Sequence, residues 1–174
     1  MAAVLFIINA LLTLVVVAFL LRAVMPLVRA DFRNPLGQAV LRFTDPLVRP
    51  LRRVLAPAGR VDVASIVAVL LVQFAGTALL RLVAGAGFSF PVTLLAALQM
   101  LAQTVLSLFS VAMLAYVILS WVAPGAYSPA TQLLSALCEP LLRPVRRIIP
   151  PIAGLDLAPV FVLIGLQALQ LVLR

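Results

Sequence analysis

Residues 45–57 read DPLVRPLRRVLAP and residues 139–151 read EPLLRPVRRIIPP. Each sets an acid before a proline, a second proline one helical turn later, and then a pair of arginines. The two superpose without a gap at an offset of 94, the difference between 139 and 45. Carried outward, the same offset aligns Pro35 with Pro129, Gln38 with Gln132, Pro57 with Pro151, Asp62 with Asp156 and Gln73 with Gln167. The chain therefore reads as one unit written twice, over about 1–80 and 93–174, within a single membrane domain of 1–174.

What flanks the motif decides the solvent. Of 174 residues, 65% are hydrophobic and 10% charged, against roughly half and a quarter in soluble domains. A water-soluble globule is excluded, and lipid is expected to cover most of the chain. Runs of about 20 residues without a charge give four spans: Ala2 to Leu21, Val63 to Leu80, Thr93 to Val122 and Leu157 to Leu173. The uncharged run from Leu82 to Cys138 is too long for one crossing, so GAGFSFP at 85–91 is predicted to be the loop that divides it. The first run has no basic segment before it and no small-residue cleavage site, which favours a retained helix over a signal peptide.

All 13 basic residues are arginine. Arg22, Arg29, Arg33, Arg42, Arg49, Arg52, Arg53 and Arg60, with Arg143, Arg146 and Arg147, fall on one side of the predicted spans; Arg81 and Arg174 fall on the other. The positive-inside rule then places both motif segments in the cytoplasm and both termini outside. The predicted fold class is an all-α membrane protein of four transmembrane helices in two tandem parallel repeats. Each repeat carries a kinked amphipathic helix at the cytoplasmic interface of a bacterial inner membrane.

Asn34-Pro35 and Ser128-Pro129 are helix starts, a capping side chain followed by a proline suited to the first turn. Asp45-Pro46 and Glu139-Pro140 read as second starts, and Pro50 and Pro144 should kink or end the helix. Arg49 follows Asp45, and Arg143 follows Glu139, at the spacing of a helical ion pair. Arg52, Arg53, Arg146 and Arg147 are then left unpaired, free for phosphate groups. Asp62 and Asp156 each stand just before a span, where an aspartate caps unpaired N–H groups and meets the helix dipole favourably.

This doubled pattern, an acid and proline, then R-P-x-R-R and a further proline, with an aspartate at the entry to an apolar helix, resembles the YggT family of small bacterial integral membrane proteins. The resemblance covers nearly the whole chain; Arg60 departs from it, standing where the second copy and the family tend to have glycine. It implies links to osmotic-shock tolerance and potassium supply, to cell division or nucleoid organisation, and in plastids to assembly of a membrane cytochrome. It supplies no catalytic residues.

Two sets of side chains are candidates for function. The arginines 49, 52, 53, 143, 146 and 147 are expected to bind anionic phospholipids or acidic partners beyond marking the cytoplasmic side. The amides Asn9, Gln73, Gln103 and Gln167 pair under the offset of 94 and form a candidate intramembrane polar site, read first as packing between helices and second as a path for a small solute. With no histidine and no acid pair near a nucleophile, an enzyme is not expected, nor a cofactor or metal. Cys138, alone, is expected to be a buried apolar residue. The preferred function is a membrane scaffold or assembly factor that binds anionic lipid and other membrane proteins without contacting nucleic acid directly. The alternative is a facilitator of ion or osmolyte transport, which with only four spans would call for a homo-oligomer.

Overall fold

The computed structural model describes residues 2–28, 30, 34–56, 59, 61–122, 128–149 and 156–173. These form six helices: α1 (Ala2–Val24), α2 (Pro35–Val54), α3 (Val63–Val83), α4 (Phe90–Val122), α5 (Pro129–Ile148) and α6 (Ala158–Val172). Most of the PAGR and PIAG turns at 57–60 and 151–154, with Arg29, Asp31, Arg33, Arg60 and Arg174, lies outside the described residues.

Three helices, α1, α3 and α4, are long and apolar enough to cross a membrane. Their large exposed side chains, among them Phe6, Leu14, Leu71, Leu95 and Val111, form an apolar surface far wider than soluble monomers tolerate. At 33 residues, α4 is about 50 Å long and exceeds a hydrocarbon core of about 30 Å; α6, at 15 residues, reaches only about 22 Å. The predicted loop at 85–91 is shorter than expected, because α4 already begins at Phe90. The turn before it uses Gly85 and Gly87 at φ of 74° and 68°, a left-handed backbone that glycine adopts without a Cβ clash.

The motif helices differ from expectation in one respect. Both run unbroken through their internal prolines, Pro46 and Pro50 in α2 and Pro140 and Pro144 in α5. Asp45 and Glu139 therefore sit mid-helix and start nothing. The reason is spacing. One turn apart, both prolines of each pair fall on a single side, and that side is exposed. The carbonyls that lose an amide partner, those of Arg42 and Pro46 in α2, belong to exposed residues instead of being stranded in the core. The starts behave as read. Asn34 accepts from the Leu36 amide at 3.0 Å, and Ser128 and Thr131 close a capping box.

Packing divides by halves. Val16, Phe19, Leu20 and Ala23 of α1, Val48 of α2 and Ala64, Ala68 and Val69 of α3 make one buried cluster. Ala112 and Met113 of α4, Leu137, Cys138 and Leu142 of α5 and Ala158, Val162 and Leu166 of α6 make the other. Each motif helix is thus held against the base of its own pair of apolar helices. Helix α3 lies between α1 and α4, and Gly76 lets α1 come so close that a Cβ there would meet Leu12 Cδ1 at 2.2 Å.

Candidate functional site

The motif becomes a site through what its charges touch. In α2 the side chains of Arg42, Arg49 and Arg53 are exposed, and their spacing by seven and four residues puts them on one stripe beside the proline side. An apolar stripe with Leu36, Phe43 and Val54 exposed runs along the same helix, giving the amphipathic cross-section of an interfacial helix. Helix α5 carries Arg143 and Arg147 at the matching places but Ala136 where α2 has Arg42.

Asp45 is held from two sides. Arg49 reaches it one turn later at 2.7 Å, and Arg22, from the last turn of α1, reaches it at 2.8 Å. Arg22 is 1% exposed; its Nη1 also donates to Thr44 Oγ1 at 2.7 Å and to the Leu41 carbonyl at 3.2 Å. A buried guanidinium is tolerable only when paired and hydrogen-bonded, and α2 supplies both. The Arg22 hydrogen bond, together with the charges of Arg22 and Arg49, holds the Asp45 carboxyl below its ordinary range despite partial burial. In the second half Glu139 takes Arg143 at 3.4 Å and Arg146 at 3.2 Å.

The expectation that Arg52 and Arg146 are unpaired is corrected. Arg52 binds the Asp62 carboxylate, and Arg146 binds Asp156 at 2.7 Å in addition to Glu139. Each arginine fastens the end of its motif helix to the start of the next apolar helix. Asp62 does two jobs at once, accepting from Arg52 and from Ser65 Oγ at 2.6 Å while capping α3. Burial alone would raise its pKa, but the hydrogen bonds from Arg52 and Ser65 outweigh it and the carboxyl is lowered. Asp156 accepts from the Ala158 amide at 3.0 Å. Asp62 thus caps its helix as expected, whereas Asp156 stands one residue before the N-cap Leu157 and serves only the first amide of α6; the pairing with arginine is what the sequence reading missed. Its signal was available: the arginine and aspartate lie at the same ten-residue separation in both halves. Arg53 and Arg147 remain exposed, with no ion pair among the described residues.

The four amides do not converge. Gln73 is buried and donates to Thr77 Oγ1 at 3.1 Å within α3, and Thr77 reaches Met100 Sδ of α4 at 3.7 Å. Gln103, joined by Gln99, donates at 2.9 Å to the Leu173 carbonyl, closing the end of α6. Asn9 and Gln167 are exposed. Among the described residues no three histidine, cysteine or acidic side chains are grouped to hold a metal ion.

The profile of the CCB3/YggT family matches this chain twice, over residues 1–83 and again over 95–174. The chain belongs to that family. It is 40% identical over 171 residues to the uncharacterized Pseudomonas aeruginosa protein PA0392, covering 97% of this chain and 87% of that one. It is 32% identical over 166 residues to the uncharacterized Escherichia coli protein YggT, covering 95% and 86%. It is 36% identical over 165 residues to an uncharacterized Vibrio alginolyticus protein from the proC 3′ region, covering 93% and 88%. No solved structure matches. Each stretch matched by the YggT profile contains one complete arginine–aspartate fastening. Arg22 and Thr44, by contrast, occur in the first stretch alone; position 116 is tyrosine and position 138 cysteine in the second.

Proposed function

We propose that this YggT-family protein is a multi-pass scaffold of the bacterial cytoplasmic membrane. Its motif helices lie on the cytoplasmic surface and bind anionic phospholipid headgroups, and through them present an ordered basic surface to membrane-protein partners. In this reading α1, α3, α4 and the shorter α6 are four crossings of one domain, arranged as two tandem units of the same orientation, with both termini outside. Arginine bias and the apolar lengths of the helices support it.

The observation that carries the reading is the division of labour within each arginine pair. Arg52 and Arg146 are engaged by aspartates, whereas Arg53 and Arg147, with Arg49 and Arg143 at 76% and 73% exposure, face outward from a helix whose shape is fixed beneath them. Topology alone needs positive charge on one side; it does not need that charge mounted on a fastened helix. Transport receives less support, because the amides that would line a path lie apart and Gln73 already has a partner.

The test is phosphatidylglycerol retained per protein after detergent extraction from mixed vesicles. Arg53→Ala with Arg147→Ala should weaken retention by roughly fivefold per arginine, the equivalent of about 1 kcal/mol each. Arg52→Ala with Arg146→Ala should lower the melting temperature first. Equal retention in the wild type and the 53/147 variant would refute headgroup binding by this surface.

A further inference from the structure

Two helix faces are bare at places where the internal repeat shows what covers them. Helix α3 lies against α4, the first helix of the second unit. Its Gln73 and Thr77 are 3% and 2% exposed, and Thr77 Oγ1 lies 3.7 Å from Met100 Sδ of α4. Helix α6 stands in the second unit where α3 stands in the first, and no described helix takes the place of α4 beside it. At the offset of 94, Gln73 and Thr77 become Gln167 and Leu171. Both are exposed, Leu171 by 71%. The residues of α6 that match the α1-facing side of α3 are buried all the same, Ala158 and Val162 for Ala64 and Ala68.

The complementary face is bare as well. Leu101, Val105 and Leu108 of α4 pack on the first buried cluster; their counterparts on α1, Ile7, Leu11 and Leu14, are exposed. Met100 corresponds to Phe6, which is 73% exposed. If the two units closed on each other, α6 would meet α1 as α3 meets α4, but the two form no such packed pair among the described residues. Neither helix can swing across without giving up contacts it already has. Gln170 of α6 donates to Ser110 Oγ of α4 at 3.1 Å, and Gln99 and Gln103 hold the end of α6. Helix α1 is seated on α3 at Gly76 and tied to α2 through Arg22. A second molecule can approach both faces as they stand.

We propose that a second copy of this chain covers them: α6 of one copy packs on α1 of the next, repeating between chains the junction that α3 and α4 make within one. Leu171 takes the place of Thr77, and Phe6 that of Met100. Gln167 precedes Leu171 by one turn and Asn9 follows Phe6 by about one turn, so antiparallel docking carries the two amides toward each other. Neither amide side chain has a hydrogen bond among the described residues. An amide both donates and accepts, so each complements the other, and in hydrocarbon such a group finds its partner on a neighbouring helix. The contact is heterologous and propagates as a ring or a file of copies. It requires the apolar helices to lie in lipid and nothing of the role given to α2 and α5.

The experiment uses two preparations of the full chain, co-reconstituted in phosphatidylcholine vesicles and oxidised with copper phenanthroline. One carries Phe6→Cys and a short tag, the other Leu171→Cys and a longer tag; the wild type, with buried Cys138 alone, gives the background. A mixed disulfide dimer is expected. Gln167→Leu in the second preparation should lower its yield roughly threefold. These substitutions stand at exposed positions, so the fold they test is kept. A chain carrying both cysteines should give a ladder of linked copies. Mixed yield no greater than that from Leu95→Cys, exposed on α4, in place of Leu171→Cys would mean random collision and overturns the proposal. A Leu171→Cys preparation that links to itself more readily than to Phe6→Cys overturns it too, as does a doubly substituted chain that links only within one copy. Headgroup retention plays no part in this readout, so failure of the scaffold reading leaves it standing.

Discussion

In the first half of the molecule the motif acid is gripped by an arginine from the preceding apolar helix; in the second half it is not. Arg22, Thr44 and Asp45 form a hydrogen-bonded set, and the positions 94 residues later are Tyr116, Cys138 and Glu139. Glu139 turns instead to Arg143 and Arg146 on its own helix. Yet α2 and α5 have the same length, the same proline positions and the same fastening to an aspartate. The buried charge is thus not what shapes the motif helix. Caps, proline phase and the arginine–aspartate tie are common to both, and the ion pair with α1 is an addition that locks the first half more tightly.

The largest effect should come from breaking that addition. Arg22→Met leaves Asp45 and the Thr44 hydroxyl without their buried partner, and removing one member of a buried pair costs about 3–5 kcal/mol. Tyr116→Phe at the equivalent place should cost no more than about 1 kcal/mol. Thermal unfolding of the two purified variants measures the difference. Equal losses would mean that the halves are braced alike and the comparison fails.

Next come the fastenings themselves. Asp62→Asn keeps a side-chain oxygen that can cap α3 but removes the carboxylate that holds Arg52. The side chain is only 7% exposed, so a loss of about 2 kcal/mol is expected from the weakened charge-assisted bonds to Arg52 and Ser65. Asp156 is 31% exposed, and Asp156→Asn should cost about half as much, since solvent already screens that pair. Protease accessibility of the chain between each motif helix and the next would show the same order.

Acid should act on the first half before it acts through any fold-wide change. Asp45 and Asp62 both titrate below their ordinary value of 3.8 when folded. A lowered folded pKa gives stability that is fully present above the unfolded value and lost as pH falls through the folded one. Stability should therefore be level from neutral pH to about 4 and decline below it. Asp45→Asn and Asp62→Asn should each flatten that decline. Melting temperature measured between pH 7 and pH 3 tests this; an unchanged slope in both variants would place the acid sensitivity elsewhere.

Much of the architecture was legible because its signals are local. Uncharged runs, Asn34-Pro35 and Ser128-Pro129 needed only sequence spacing, and the 94-residue offset needed only self-comparison. What escaped depended on side chains meeting across turns. Proline at positions 46 and 50 reads as a break until one sees that both fall on the exposed side, where the lost amides strand nothing. Arg52 and Arg146 read as free because their aspartates stand beyond a turn, in the next helix. Arg22 read as a boundary charge, and nothing in its own neighbourhood announced that α2 would fold back over it. The amides matched by offset but not by contact, because Asn9 and Gln167 sit on helix sides that the packing leaves uncovered.

The smallest effect concerns Cys138, which occupies the place of Thr44. Its side chain is 0% exposed within the second cluster, and burial pushes the thiol up to about 11. Near neutral pH well under one thiol in a hundred is ionised at such a value, and the thiolate is the reactive form. Native Cys138 should resist a maleimide in membranes until detergent unfolds the chain. A cysteine introduced at Ser135, exposed on the same helix, should react at once. Cys138→Thr should then be nearly silent. Thr44 donates to the Val40 carbonyl one turn back at 2.6 Å, so a threonine at 138 has the Leu134 carbonyl to serve its hydroxyl, and no arginine is required to make it tolerable. A loss above about 1 kcal/mol would mean that the hydroxyl of Thr44 is stabilised by Arg22 and not by its own helix, and the first half would then depend on its buried charge more than its shared geometry with α5 implies.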